Sequence, residues 1–158
     1  MFSSIDQLTT VVSGAPLPFW KKTESAPLYF HLVLQVTSEI SDDEQEIQLK
    51  KYIAGFVRKT GGSIKTVSFA QNRVHLLVGL SQFCALGTFV RELKLVSATF
   101  ARRKLGVETF EWREKYEAFT VSLSQIERVR SYISRQKWLD EQESYASSWN
   151  RIASRELY

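Results

Sequence analysis

Arg73-Val74-His75-Leu76-Leu77-Val78-Gly79-Leu80 is the stretch on which the fold turns. Val74, Leu76, Val78 and Leu80 alternate with Arg73, His75, Leu77 and Gly79, the period of two that a β-strand imposes. One face is wholly apolar. The other carries an arginine and a histidine two residues apart. Just upstream, Ile64 to Ala70 reads as a second strand. Gln71-Asn72 joins the two as a tight hairpin without the favoured Asn-Gly.

Outward toward the N-terminus, Leu28 to Val36 alternates in the same way. Leu28, Phe30, Leu32, Leu34 and Val36 share one face, and Tyr29, His31, Val33 and Gln35 share the other. Between this strand and the hairpin, Ser41-Asp42-Asp43-Glu44 has the form of a capping box with Ser41 as cap. Leu49, Tyr52, Ile53, Phe56 and Val57 follow at helical spacing, and Gly61-Gly62 stops the helix. Outward toward the C-terminus, Ala85 to Leu105 is an amphipathic helix with Leu86, Phe89, Val90, Leu93, Val96 and Phe100 inward, closed by Gly106. Lys115 to Leu123 reads as a fourth strand. Ser124-Gln125-Ile126-Glu127 resembles another capping box, opening a helix with Ile126, Val129, Ile133 and Trp138 on its apolar stripe. Asp140 to Tyr158 is polar and helical in pattern, with Tyr145, Trp149 and Ile152 to dock it.

The order is β-α-β-β-α-β, then helices. It predicts an α+β fold: a ferredoxin-like βαββαβ antiparallel sheet with helices on one face plus C-terminal helices. The first and third strands become central neighbours, so His31 and His75 lie side by side on the face that the first two helices leave uncovered. A last helix crossing that face would bring Tyr132 and Gln136 to His75. All three prolines lie within the first 27 residues. Residues 1–27 therefore read as an irregular arm, and 28–158 as a single domain.

Composition sets the frame. The 158 residues suit one core, and a net charge of +4 is compatible with nucleic acid without demanding it. No run of about 18 apolar residues predicts a membrane span. The N-terminus lacks the basic and apolar blocks of a secretory signal. A single cysteine, Cys84, excludes an intrachain disulfide and fits a reducing, cytoplasmic setting.

Tyr132 and Gln136 stand one helical turn apart, where Cβ atoms are about 5–6 Å from each other. A tyrosine is a competent nucleophile at phosphorus, although a pKa near 10 means that it needs help. A divalent cation would supply it by polarising the phosphate, and His75 and Gln136 offer one nitrogen and one oxygen ligand. Each residue also has a plainer use. The tyrosine suits a core boundary, the histidine a structural or merely exposed strand position, and the glutamine a solvated helix face.

These stretches together resemble the single-tyrosine HUH transposases of bacterial insertion sequences, including the REP-associated tyrosine transposases. Leu28 to Thr37 is similar to that family's first strand, and Arg73 to Leu80 to its His-hydrophobic-His strand. Phe89 to Lys94 is similar to the helix that follows. Trp112 to Ser122 resembles the aromatic-glycine strand leading to Phe-Ser-Val-Ser, and Arg130 to Gln136 the helix with nucleophile and third ligand. The resemblance implies binding of imperfect DNA hairpins and cleavage of single-stranded DNA through a 5′-phosphotyrosine. It also implies rejoining without a high-energy cofactor, use of Mg²⁺ or Mn²⁺, and a homodimer. By position, Tyr132 would be the nucleophile and His75 and Gln136 the metal ligands.

The departures are Arg73 in place of the first motif histidine, Lys115 and Glu117 in place of glycines, and Lys137-Trp138-Leu139 after the glutamine. A cation about 4 Å from a bound metal costs about 4 kcal/mol per unit of metal charge at an effective dielectric near 20, on the order of a thousandfold in affinity. A weak or missing metal site is the expectation, with Mg²⁺ or Mn²⁺ as cofactor only where the site functions and none otherwise. Three readings follow. One is a working transposase, with His31 replacing the lost ligand or Arg73 clamping the phosphate directly. Another is an impaired or domesticated relative that binds hairpin DNA without cutting it, its phosphates held by Arg91, Lys94, Arg102, Arg103 and Lys104. The third, an RNA-binding sheet, lacks the aromatic signature on its third strand.

Overall fold

The computed structural model describes residues 27–37 and 40–136. It contains β1 (Leu28–Val36), α1 (Asp43–Lys59), β2 (Ser63–Ala70), β3 (Arg73–Leu80), α2 (Leu86–Arg103), β4 (Trp112–Val121) and α3 (Ile126–Ser134). The strands form one sheet in the order β2-β3-β1-β4, and every neighbouring pair is antiparallel. This is the βαββαβ arrangement expected, with β1 and β3 side by side in the centre. The arm through residue 26, Trp138, and the tail with Tyr145, Trp149 and Ile152 lie outside the described residues.

Alternation along β1 and β3 splits the core into two layers. Leu32, Leu34, Val36, Val74, Leu76, Val78 and Leu80 meet α1 and α2 on one face. Leu49, Ile53 and Val57 from α1 and Phe89, Val90 and Leu93 from α2 complete that layer. On the other face Val33, Leu77 and Val121 meet Ile126, Val129, Tyr132 and Ile133 of α3. β3 is consequently buried on both sides from Val74 to Leu80. Gly79 is needed there, because a Cβ would stand 2.7 Å from Ser63 Oγ and 2.9 Å from the Tyr29 ring.

Several boundaries differ from the sequence reading, each for a local reason. Asp42, not Ser41, caps α1, its carboxylate accepting from the amides of Glu44 at 2.8 Å and Gln45 at 3.3 Å. A carboxylate also suits the positive end of the helix dipole. The Ser124 box does not form. Leu123–Gln125 is a 3-10 turn, and α3 begins at Ile126 without a side-chain cap. β4 starts at Trp112, three residues earlier than read, because a bulge lets Trp112 pair with Val36. A bulge at β2 shifts its register between Ile64 and Thr66, and Ile64, Val67 and Phe69 all reach the helix layer. The stop at Gly61 is as expected: it adopts φ +85°, and the amide of Gly62 reaches back to Val57 O at 3.0 Å.

Candidate active site beneath the third helix

β1 and β3 run antiparallel with His31 opposite Leu77 and His75 opposite Val33. The two imidazoles are thus diagonal neighbours on one face, and long side chains bridge that spacing. His31 Nε2 and His75 Nδ1 are 3.1 Å apart and hydrogen-bonded, and both residues are fully buried. Phe119, opposite His31 on β4, lies against its ring with centroids 5.9 Å apart. Tyr132 of α3 meets His31 edge-on at 6.1 Å.

α3 closes the group from above. Tyr132 and Gln136 are both 0% exposed, so neither side chain reaches solvent. They do not share an unbroken helix. α3 ends at Ser134, and Arg135 turns the chain with φ −99° and ψ 5°. Gln136 enters the interior one residue past that turn. His75 Nε2, Tyr132 Oη and Gln136 Oε1 are all shielded from water.

Electrostatics decide the protonation state of the pair. Burial pushes His31 down to about 3. Burial pushes His75 well below its ordinary value as well, with the neighbouring His31 and then the Arg73 guanidinium adding to the effect. Both rings are therefore neutral at neutral pH, and one proton lies between them. If His75 carries it on Nδ1, its Nε2 keeps a lone pair and His31 acts as the acceptor that fixes the ring. Arg73 is half-buried at the start of β3, opposite Gln35, on the same face as His75.

The donor set does not suit the divalent cation that the resemblance implies. The nitrogens that His31 and His75 turn toward each other are spent on their mutual bond, so they do not converge on a third point. The other donors of these residues are imidazole nitrogens and an amide oxygen, with a guanidinium on the same face as His75. Among the described residues no group of three or more His, Cys, Asp or Glu side chains comes together to hold a metal. Mg²⁺ and Mn²⁺ prefer several hard oxygen ligands, carboxylates above all. His31, the expected substitute ligand, is placed as a hydrogen-bond partner of His75.

The other basic candidates lie elsewhere. Arg91, Lys94, Arg102, Arg103 and Lys104 all belong to α2 or its end, across the sheet from His31 and His75. Lys94 Nζ donates to the carbonyls of Arg113 at 2.9 Å and Glu114 at 2.8 Å and lies over the Tyr116 ring. Burial lowers its pKa, with Glu114 opposing. Arg102 Nη1 donates to Phe110 O at 2.8 Å. These two strap β4 and the loop before it to α2. Arg91, Arg103 and Lys104 are exposed, and Arg103 and Lys104 edge a groove with Tyr52, Leu95 and Phe100. Sequence reasoning missed Phe119, whose position against His31 depends on the β4 register. It also missed buried Ser97, which accepts from Trp112 Nε1 at 2.9 Å.

Against known proteins, the family described as transposase IS200 like matches residues 24–136. No curated protein matches the chain. A crystal structure of a protein assigned as a transposase from Deinococcus radiodurans R1 is similar, with 24% identity and a TM-score of 0.53 over 70% of this chain and 91% of that one. A REP-associated tyrosine transposase bound to a REP hairpin is similar with 15% identity and a TM-score of 0.56, over 84% of this chain and 83% of that one. At these identities the two structures speak for the fold.

Proposed function

The chain belongs to the IS200-like transposase family, and from that premise we propose that it binds single-stranded DNA carrying a hairpin, with Tyr132 as the nucleophile that cuts and rejoins it. One observation carries this reading. His31 of β1, His75 of β3, Tyr132 of α3 and Gln136 just past the end of α3 are all fully buried. Family membership supports DNA as the partner, and the fold shared with a hairpin-bound transposase supports the hairpin form.

In the proposed reaction the Tyr132 oxygen attacks phosphorus and the bond to the departing 3′ oxygen breaks. This leaves a 5′-phosphotyrosine and, as the departing oxygen takes a proton from solvent, a 3′-hydroxyl. The phenol proton passes to solvent. Reversal with another 3′-hydroxyl rejoins the strand, so the exchange needs no high-energy cofactor. Tyr132 is sealed in the closed state, so α3 must move before DNA reaches it. A homodimer and a cytoplasmic setting belong to the same proposal.

The test is a denaturing gel. Purified protein is mixed with labelled hairpin-bearing single-stranded DNA, with and without Mn²⁺. A covalent adduct that disappears in Tyr132→Phe supports the reading. An adduct that persists in Tyr132→Phe removes that residue from the role. Arg73 beside His75 favours a second reading, binding without cutting. Wild-type protein that binds the hairpin but forms no adduct under any metal selects it.

A further inference from the structure

Arg73, the cation on the face of β3 that carries His75, has a chemistry of its own. Arg73 begins β3, and the two-residue turn before it holds Gln71 at φ +53°. Arg73 is half-buried, two residues from fully buried His75 and on the same face of the strand. Neutral histidines do not repel a phosphate, and a guanidinium can donate two parallel hydrogen bonds to phosphate oxygens. Arg73 senses the interior as well, since its charge contributes to lowering the pKa of His75. A guanidinium can supply a phosphate with the positive charge that a metal bridge otherwise brings.

We infer that the site takes up a DNA phosphate directly on Arg73 and binds no divalent cation at His75. The phosphate half of this inference rests on the DNA-binding reading above. The cation half does not.

Two measurements decide it. The first is a titration of the protein with Mn²⁺ alone, followed by the paramagnetic signal of the free ion. Wild type is expected to take up none at millimolar metal, and Arg73→His is expected to gain one site per chain. One tight site on wild type that His75→Ala removes would overturn the inference. So would an Arg73→His protein, folded by its melting curve, that binds no more Mn²⁺ than wild type.

The second is fluorescence anisotropy with hairpin-bearing single-stranded DNA in EDTA. Wild-type affinity is expected to be the same in EDTA and in Mn²⁺. Arg73→Ala is expected to bind about tenfold or more weakly, as for a lost charge-assisted hydrogen bond. Its slope of log affinity against log salt should be shallower by about 0.7, the share of one phosphate on a single strand. Equal affinities for wild type and Arg73→Ala, or wild-type binding lost in EDTA, would overturn the phosphate half. Wild type that binds no DNA in either buffer would remove the proposed function and the phosphate half together. The Mn²⁺ titration would still decide the cation half.

Discussion

At the scale of single residues, two neutral imidazoles sharing one proton make the site sensitive to acid. Folded His31 resists protonation down to about 3, whereas an imidazole in the unfolded chain titrates near 6.5. Below pH 6.5 the unfolded state therefore binds protons that the folded state refuses. Stability is full above that value and falls as pH drops toward 3, by up to about 1.4 kcal/mol per pH unit for each histidine. Urea midpoints between pH 7 and pH 4 should show this loss, with a shallower slope in His31→Phe. Identical slopes in the two proteins would contradict the assignment. The helix cap is a second residue-scale case. Asp42→Ala should cost about 1 kcal/mol and Ser41→Ala close to nothing, the reverse of what the capping-box pattern suggests. The sequence pattern could not choose between adjacent Ser41 and Asp42. Only the backbone shows which side chain sits below the first free amides.

At the scale of elements, the strands and the first two helices were legible because each obeys one period and ends at a marked stop. β1 and β3 kept their bounds as read. Their neighbour relation followed from the element order, and it placed His31 beside His75 before any coordinates. Bulges broke the rule for β2 and β4, because an inserted residue changes which face the next side chain meets. The closeness of Phe119 to His31 was hidden because alternation gives a strand's faces but not which residue of its neighbour stands opposite. α3 was legible as an apolar stripe, but its early end at Ser134 was not. That stripe is what seats α3 on the sheet. Ile133→Ala, at a fully buried position, should destabilise by about 2–5 kcal/mol in urea titrations, as lost contacts plus a cavity. A cost below about 1 kcal/mol would mean that α3 is only loosely seated.

At the scale of the whole molecule, the sheet separates two kinds of work. α1 and α2 cover one face with the larger core, and their basic residues include Lys94 and Arg102, which strap β4. Among the described residues, α3 covers the other face over a smaller apolar cluster. A layer held by fewer buried contacts opens at lower free energy than the strands beneath it. Amides of α3 should therefore exchange with solvent faster than those of β1 and β3, and hairpin DNA should change α3 exchange most. Equal protection throughout would contradict a role for α3 as the element that admits DNA to Tyr132. The measurement that tests the central claim most directly is the affinity of the wild-type chain for a hairpin-bearing single strand, compared with an unstructured strand of the same composition, across a salt series. The account predicts tighter binding of the hairpin, with log affinity falling linearly as log salt rises. No measurable binding at low salt, or equal affinity for the two strands, would contradict it.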